Sequence, residues 1–558
     1  MPRPTSRRFN VERLEDRCVP TASVVDLPQV QVDPSQASSS HLLVQFRPGY
    51  QPVALPGTTV GRSYDLVPGL YQIDLAGTTL DQALAGYRAD PRVATAEPDF
   101  ALTASWVPND PRFGEQWYLR NPAKTAGTAA DIRAADGWGT IVNAQRVPIA
   151  VMDSGIDYTH PDLYLNIWLN QGEIPASRRA KLTDVDRDGL ITFRDLNNPI
   201  NIGPGKITDL NGTGYIDAGD VLKPMTKDAS GNDTGAGGWA DGASQDKDKY
   251  VDDLVGWNPT KNNNNPFDDY GHGTHVAGTL GAVGNNGVGV AGVAWQAQLV
   301  AVKFLNSSGA GSIGWFIDGL EWALAKGIKI SNNSWNDSGY TQILYDAVRN
   351  ARAKGHIFVA AAGNQNRDAD LNPAYPAGFN LDNIVSVAAT DRNDNKASFS
   401  NYGKTSVDIA APGVDVLSTN PNKAYGNRSG TSMATPQVTG VLALVWALRP
   451  EWTYQQVINW VLSTADRVPG LAGKLASGRL NAAAAVKVPP RNGPQPPLVR
   501  ATPVTVAAAA TSSTPRPSEY FTGFVASQAP GYVGDVLALL EGVKKGKDGP
   551  FTQALSNR

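Results

Sequence analysis

The chain has 558 residues, more than one ordinary core accommodates, so two or more domains are expected. Its 49 basic and 52 acidic residues leave a net charge of −3, which argues against nucleic acid as the main partner. No apolar run reaches the roughly 18 residues of a membrane span. The lone Cys18 excludes an intrachain disulfide, so stability outside a cell must come from packing or bound metal.

Residues 1–39 are polar and lack the apolar stretch of about 7–15 residues of a standard secretory signal. The piece Arg7-Arg8-Phe9-Asn10-Val11-Glu12-Arg13-Leu14-Glu15-Asp16-Arg17 is similar to an export-associated motif of some bacterial surface proteins, and it also reads as a charged, disordered leader. Residues 40–103 form a small α+β module. Strand-like pieces at 42–46 and 69–75, a helical stretch at 79–87 and a closing segment at 93–99 make it up, with a turn-rich region between the first two.

From Ile149 onward, short continuously apolar runs at 149–152, 299–304, 328–332, 357–361 and 384–387 alternate with helical patterns at 274–283, 313–326 and 342–354. This alternation predicts an α/β fold, a doubly wound parallel sheet covered on both faces, with ligand-binding residues in the loops leaving the strand ends. Residues 166–262 interrupt the alternation as an enlarged region with its own chemistry. Asp184, Asp186, Asp188, Gly189, Ile191, Thr192 and Asp195 follow EF-hand loop spacing, with Asp in place of Glu at the last position. Asp209, Asn211, Thr213, Gly214, Ile216, Asp217 and Asp220 follow it again. Oxygens at alternate positions wrap one hard cation while glycine makes the bend, so both loops are candidate calcium sites. A third stretch, Asp246-Lys247-Asp248-Lys249-Tyr250-Val251-Asp252-Asp253, has lysines where glycines are expected. It reads equally as a cation loop or as a hydrated acidic turn. Residues 489–558 form a Pro-, Ala- and Thr-rich linker and tail, with a short apolar stretch at 532–543 and no function to assign.

The chain is organised around Gly430-Thr431-Ser432-Met433-Ala434-Thr435-Pro436, small residues followed by the apolar positions Val438, Val441, Leu442, Leu444 and Val445. This reads as a turn feeding a buried helix. Pro436 is expected in its first turn and the Ser432 hydroxyl near unpaired backbone N–H groups. Upstream, an apolar strand ends on Asp153, and Gly271-His272-Gly273-Thr274-His275 lies between. Asp, His, Ser is the chain order of subtilisin. With Ala361-Ala362-Gly363-Asn364 as a fourth block, residues from about 40 to 488 resemble the subtilisin-like serine proteases.

That resemblance implies a catalytic domain over 106–488, Ser432 as nucleophile, His272 as base, Asp153 as its orienting acid and Asn364 as an oxyanion donor beside the Ser432 N–H. His275 is the rival base; by resemblance it is structural. His41, His160 and His356 read as structural or surface residues. The module 40–103 resembles an inhibitory propeptide, with cleavage between about residues 100 and 108. A polypeptide substrate is expected to add as a strand between Gly309-Ala310-Gly311 and Ser334-Trp335-Asn336, and Asn336 stands where the family commonly has Gly. Ala361, Ala362 and Gly363 would wall a pocket for a large apolar side chain. Asp110, Asp162 and Asn286 would hold a further calcium. The implied protein is a secreted or cell-surface, calcium-stabilised serine endopeptidase made as a precursor. An inactive adhesion protein on the same fold and an esterase on the same triad are the rival classes.

Overall fold

The structure is a computed structural model that describes residues 37–100, 106–121, 130–337 and 339–490. Cys18, nearly all of the leader, most of the expected cleavage window and the tail beyond 490 lie outside the described residues, and so do the expectations placed on them. The chain divides into two compact units, 1–103 and 104–558.

The first unit is a four-stranded antiparallel sheet in the order Thr58–Tyr64, Leu70–Leu75, Ala37–Phe46, Val93–Phe100, with the helix Leu80–Ala89 on one face. Leu42, Val44, Phe46 and Ile73 pack against Ala83, Leu84 and Tyr87 of that helix. Thr79 and Gln82 close a capping box at its start. The strand Thr58–Tyr64 falls in the stretch expected to be turn-rich. It is an edge strand with only Thr58 fully buried, so its sequence has no apolar alternation to read.

In the second unit, seven parallel strands lie in the order Ile409–Pro412, Ile384–Thr390, Ile357–Ala361, Ile330–Asn333, Ile149–Asp153, Leu299–Lys303, Gly256–Trp257. Side chains alternate between the two faces. Ile149, Val151, Leu299, Ala301, Ile357 and Val359 pack with Val276 and Leu280 of the helix His272–Gly281 and with Val438, Val441 and Leu442 of Thr431–Leu448. Ala150, Met152, Val300, Val302, Phe358 and Ala360 face Phe316 and Leu320 of Ile313–Ala325 and Leu344 and Val348 of Gln342–Ala353. Apolar burial on both faces explains why these strands read as continuous runs. The fold is the expected doubly wound α/β arrangement.

The helix Thr431–Leu448 has the length and composition of a membrane span, the one such helix among the described residues. It is 89% buried inside the protein and serves as the central core helix. Pro436 sits in its second turn, not the first. Proline has no N–H to give to the carbonyl four residues earlier, which is that of Ser432. The Ser334 hydroxyl supplies the missing donor at 2.9 Å.

The region 166–262 is not a detached insertion. Phe193, Leu196, Ile207, Ile216, Val221 and Trp239 join the same core as the helix Thr431–Leu448. Its last part returns to the sheet as the edge strand Gly256–Trp257. A hairpin, Val416–Asn420 with Ala424–Arg428, leads into Gly430.

Candidate active site

Asp153 ends its strand, fully buried. His272 is the first residue of the helix His272–Gly281, two residues earlier than the sequence pattern suggests. Its Nδ1 donates to both carboxylate oxygens of Asp153, at 2.8 and 3.0 Å. This close approach depends on Gly273. A Cβ there would stand 2.1 Å from the Gly155 carbonyl oxygen and 3.1 Å from Asp153 Cβ.

Asp268, which sequence reasoning did not single out, holds the helix mouth. Its carboxylate accepts the N–H groups of Gly271 (2.7 Å) and Thr274 (2.8 Å), the Thr274 hydroxyl (2.6 Å) and the Ser154 hydroxyl (2.8 Å). The Gly273 N–H in turn donates to Ser154 Oγ at 2.9 Å. The available signal was an acid just before the helix start, the ordinary position for a capping carboxylate.

Ser432 is the second residue of the helix Thr431–Leu448, which packs against His272–Gly281. Its hydroxyl donates to the Ser334 carbonyl at 2.9 Å. No hydrogen bond links Ser432 to His272 among the described residues. Asn364 is tied to the same helix mouth: its Oδ1 accepts the Thr431 N–H (2.8 Å) and the Thr431 hydroxyl (3.0 Å). An N–H must meet an acceptor, so this fixes which amide atom is oxygen and leaves Nδ2 as a donor. A Cβ on Gly430 would stand 3.6 Å from the Ser432 N, 3.7 Å from Asn364 Nδ2 and 3.8 Å from Met433 Sδ, so the two nitrogens lie near one another at the helix mouth.

His275 is fully buried, and its Nε2 meets the Gly426 carbonyl at 3.0 Å. Burial pushes its pKa down to about 3, so it stays neutral and structural. His356 is likewise buried between the Ile328 carbonyl (3.0 Å) and Ser331 Oγ (2.8 Å), with burial lowering it to about 4. His160 contacts the Ala424 carbonyl, and His41 in the first unit pairs with Asp99 at 2.8 Å.

Of the expected substrate edges, Ala310 spends its carbonyl on the Asn306 N–H (2.8 Å), and Gly311 bridges to Leu305. Gly309, at φ 74°, lies against Tyr270, whose ring a Cβ would strike. The Trp335 side chain is buried between Phe304 and Phe316, so only its backbone is available for strand pairing. Ala361 and Ala362 are buried. Gly363 has φ 105°, and a Cβ there would meet Asn401, Gln365 and, at 2.8 Å, the Asn336 amide nitrogen. Asn336 therefore leans over the wall that was expected to admit a large apolar group.

The acidic loops fall into four groups. In the further calcium set, Asp110 and Asp162 are buried, and burial raises both, Asp162 to about 7. Asp162 accepts from Asn286 Nδ2 (2.9 Å) and the Val290 N–H (2.8 Å), whereas Asp110 Oδ1 is buried without a hydrogen-bond donor. In the first EF-hand-like loop, Asp184, Asp186 and Asp188 converge, and Asp184 Oδ1 is also buried without a donor. Asp195 closes that loop through the Val185 and Thr192 N–H groups. In the second, Asp209 takes the Gly212 and Gly214 N–H groups, and Asp220 takes those of Leu210 and Asp217. Asn211 and Thr213 donate to Asp217, which burial and Asp220 raise to about 6. Orphaned, buried carboxylate oxygens fit an oxygen-seeking cation. The third loop, 246–253, is filled differently: the Lys326 ammonium sits among its carboxylates.

A subtilase-family model matches residues 144–486, more than half of the chain and all four motif blocks. The chain belongs to the subtilase family. Among curated relatives of this subtilase, M-protease of Shouchella clausii is 45% identical over 220 residues, covering 39% of this chain and 56% of that protein. Subtilisin Savinase of Lederbergia lenta is 44% identical over 220 residues, covering 39% and 79%. A thermophilic serine proteinase from a Bacillus species is 29% identical over 431 residues, covering 77% and 81%. The chain thus spans little more than half the length of M-protease.

Proposed function

We propose that this subtilase is a serine endopeptidase that cuts polypeptides through Asp153, His272 and Ser432. The observation that carries the proposal is the double hydrogen bond between Asp153 and His272, beside a helix mouth that carries both Ser432 and the anchored Asn364 amide. Asp153 holds the imidazole by Nδ1–H, which leaves Nε2 as the basic nitrogen. The Ser432 hydroxyl turns away from the Ser334 carbonyl to give its proton to Nε2 as Oγ attacks the scissile carbonyl. The oxygen that becomes negative is held by Asn364 Nδ2 and the Ser432 N–H, at the positive end of the helix. His272 then returns the proton to the leaving amine, and water repeats the sequence to free the acyl-enzyme. A serine-reactive covalent probe tests this. It labels the parent chain and not Ser432→Ala; equal labelling would refute the assignment. Hydrolysis of simple esters without peptides would favour the esterase reading.

The finer reading is of a secreted or cell-surface enzyme that is stabilised by calcium and made as a self-inhibited precursor. The first unit has its own core, as a separable inhibitory propeptide requires. Calcium would be held by Asp110, Asp162 and Asn286, by Asp184, Asp186, Asp188 and Asp195, and by Asp209, Asn211, Thr213 and Asp220. It supplies positive charge to buried carboxylates and takes no part in the reaction. Mass spectrometry of the expressed chain beside Ser432→Ala tests processing. The parent is expected to be cut between about residues 100 and 108 and the variant to stay whole; an active enzyme that retains residues 42–94 covalently would refute it.

A further inference from the structure

Three carboxylates of the third acidic loop converge on one ammonium. Lys326 Nζ lies 2.7 Å from Asp248 Oδ2, 2.7 Å from Asp253 Oδ2, and in contact with Asp246 Oδ2. Its side chain is only 6% exposed, although it starts from the end of the helix Ile313–Ala325 and not from the loop. The carboxylates are oriented from outside as well. Asn170 Nδ2 donates to Asp253 Oδ1 (2.9 Å) and Asp246 Oδ2 (3.2 Å), and the Trp322 indole donates to Asp253 Oδ2 (2.5 Å). Glu173 packs beside them and accepts the N–H groups of Gln245 (3.0 Å) and Asp252 (2.9 Å), which draws the loop around the same centre.

We propose that Lys326 is the resident cation of this loop, an ammonium carried by the chain where the two neighbouring loops call for calcium. The chemistry fits. Three inward carboxylate oxygens, from positions 246, 248 and 253, are the kind of shell that binds a hard cation. A lysine gives one charge and three N–H donors, one for each of three oxygens. Removing one partner of such a buried set leaves uncompensated charge, so the loop cannot close on its carboxylates alone. The loop bends like its neighbours all the same, since Lys247 takes φ 65°, close to the 59° of Arg187 in the first EF-hand-like loop. Burial alone would make the Lys326 ammonium easier to deprotonate, but Asp246, Asp248 and Asp253 raise it above the ordinary lysine value, so it stays charged. The loop leads into the edge strand Gly256–Trp257, so that edge of the sheet keeps its shape when calcium is withdrawn.

Hydrogen–deuterium exchange over residues 241–256, measured in full-length Ser432→Ala protein to prevent self-digestion, tests the proposal. With Lys326 present, exchange there is expected to be the same in calcium and in chelator. In Lys326→Met the same residues are expected to exchange at least tenfold faster in chelator and to slow again when calcium is restored. Chelator-sensitive exchange in the Lys326 protein overturns the proposal. So does exchange in Lys326→Met that ignores calcium. The first arm needs no substituted loop, so a poorly folding Lys326→Met still leaves the proposal open to refutation. Failure of the calcium sites proposed elsewhere would show in residues 184–195 and 209–220, not in this segment.

Discussion

Gly273→Ala tests the geometry of the site without touching a reacting group. The new Cβ would lie 2.1 Å from the Gly155 carbonyl oxygen, whereas ordinary contact begins near 3.4 Å. Both partners are backbone, one at a strand end and one at a helix start, so no flexible side chain can absorb the overlap. The helix mouth must retreat by about 1 Å, and a displacement of that size costs about 10²-fold in rate. His272 precedes the substituted residue and moves with it, so its contacts to Asp153, now 2.8 and 3.0 Å, stretch to about 4 Å, past hydrogen-bond range. The expected result is a fall in kcat of about 10²-fold, or ~2.7 kcal/mol in activation free energy, with KM little changed. The assay is steady-state hydrolysis of a peptide substrate, normalised to active sites titrated with a serine-reactive probe. A kcat within threefold of the parent would show that the strand end and the helix mouth need not meet this closely.

Other outcomes follow from the same contacts. Asn364→Ala should keep the fold and lose about 10²–10³ in kcat, a magnitude borrowed from the corresponding measurement on subtilisin; unchanged turnover would remove Asn364 from the mechanism. Chelator should lower the melting temperature and speed self-digestion, and identical melting curves with and without chelator would count against every calcium assignment. Asn336→Gly should raise kcat/KM for a substrate with a large apolar side chain before the cut by about tenfold relative to one with alanine; an unchanged ratio would place the pocket elsewhere. His356, held neutral near 4 by burial, binds fewer protons folded than unfolded. Its contribution is therefore fully present above about pH 6.5 and is lost as pH falls toward 4, by up to about 1.4 kcal/mol per unit, against the opposite slope of carboxyls raised by burial such as Asp162. Denaturant melts across that range compare the parent with His356→Gln, whose stability should fall less, or rise more, as pH drops; an equal slope would refute the role.

Much of this subtilase is legible in its sequence because its strongest constraints are local. Strands buried on both faces leave continuous apolar runs, and 357–361 is read to the residue. Asp153 is legible as the acid that ends such a run. Contacts made by residues far apart in the chain are not legible. Asp268 matters through Ser154, 114 residues away, and Thr431 through Asn364, 67 residues away. The four-residue strand Ile409–Pro412 is too short to carry a period. The acidic stretch 246–253 stays ambiguous in sequence because its partner, Lys326, lies 80 residues beyond Asp246. The helix start at His272 is misjudged by two residues because the N-cap is Gly271, which has no side chain to signal it, and Asp268 three residues earlier takes the capping N–H groups.

The proline in the second turn of the central helix ties two functions together. By freeing the Ser432 carbonyl for the Ser334 hydroxyl, while the Ser432 hydroxyl rests on the Ser334 carbonyl, it laces the proposed nucleophile to a segment proposed to pair with substrate. On that proposal, redesign of the segment to accept a new sequence will also retune the nucleophile. Variants sought for altered selectivity should therefore be screened for turnover at the same time, and changes at position 334 will register in both.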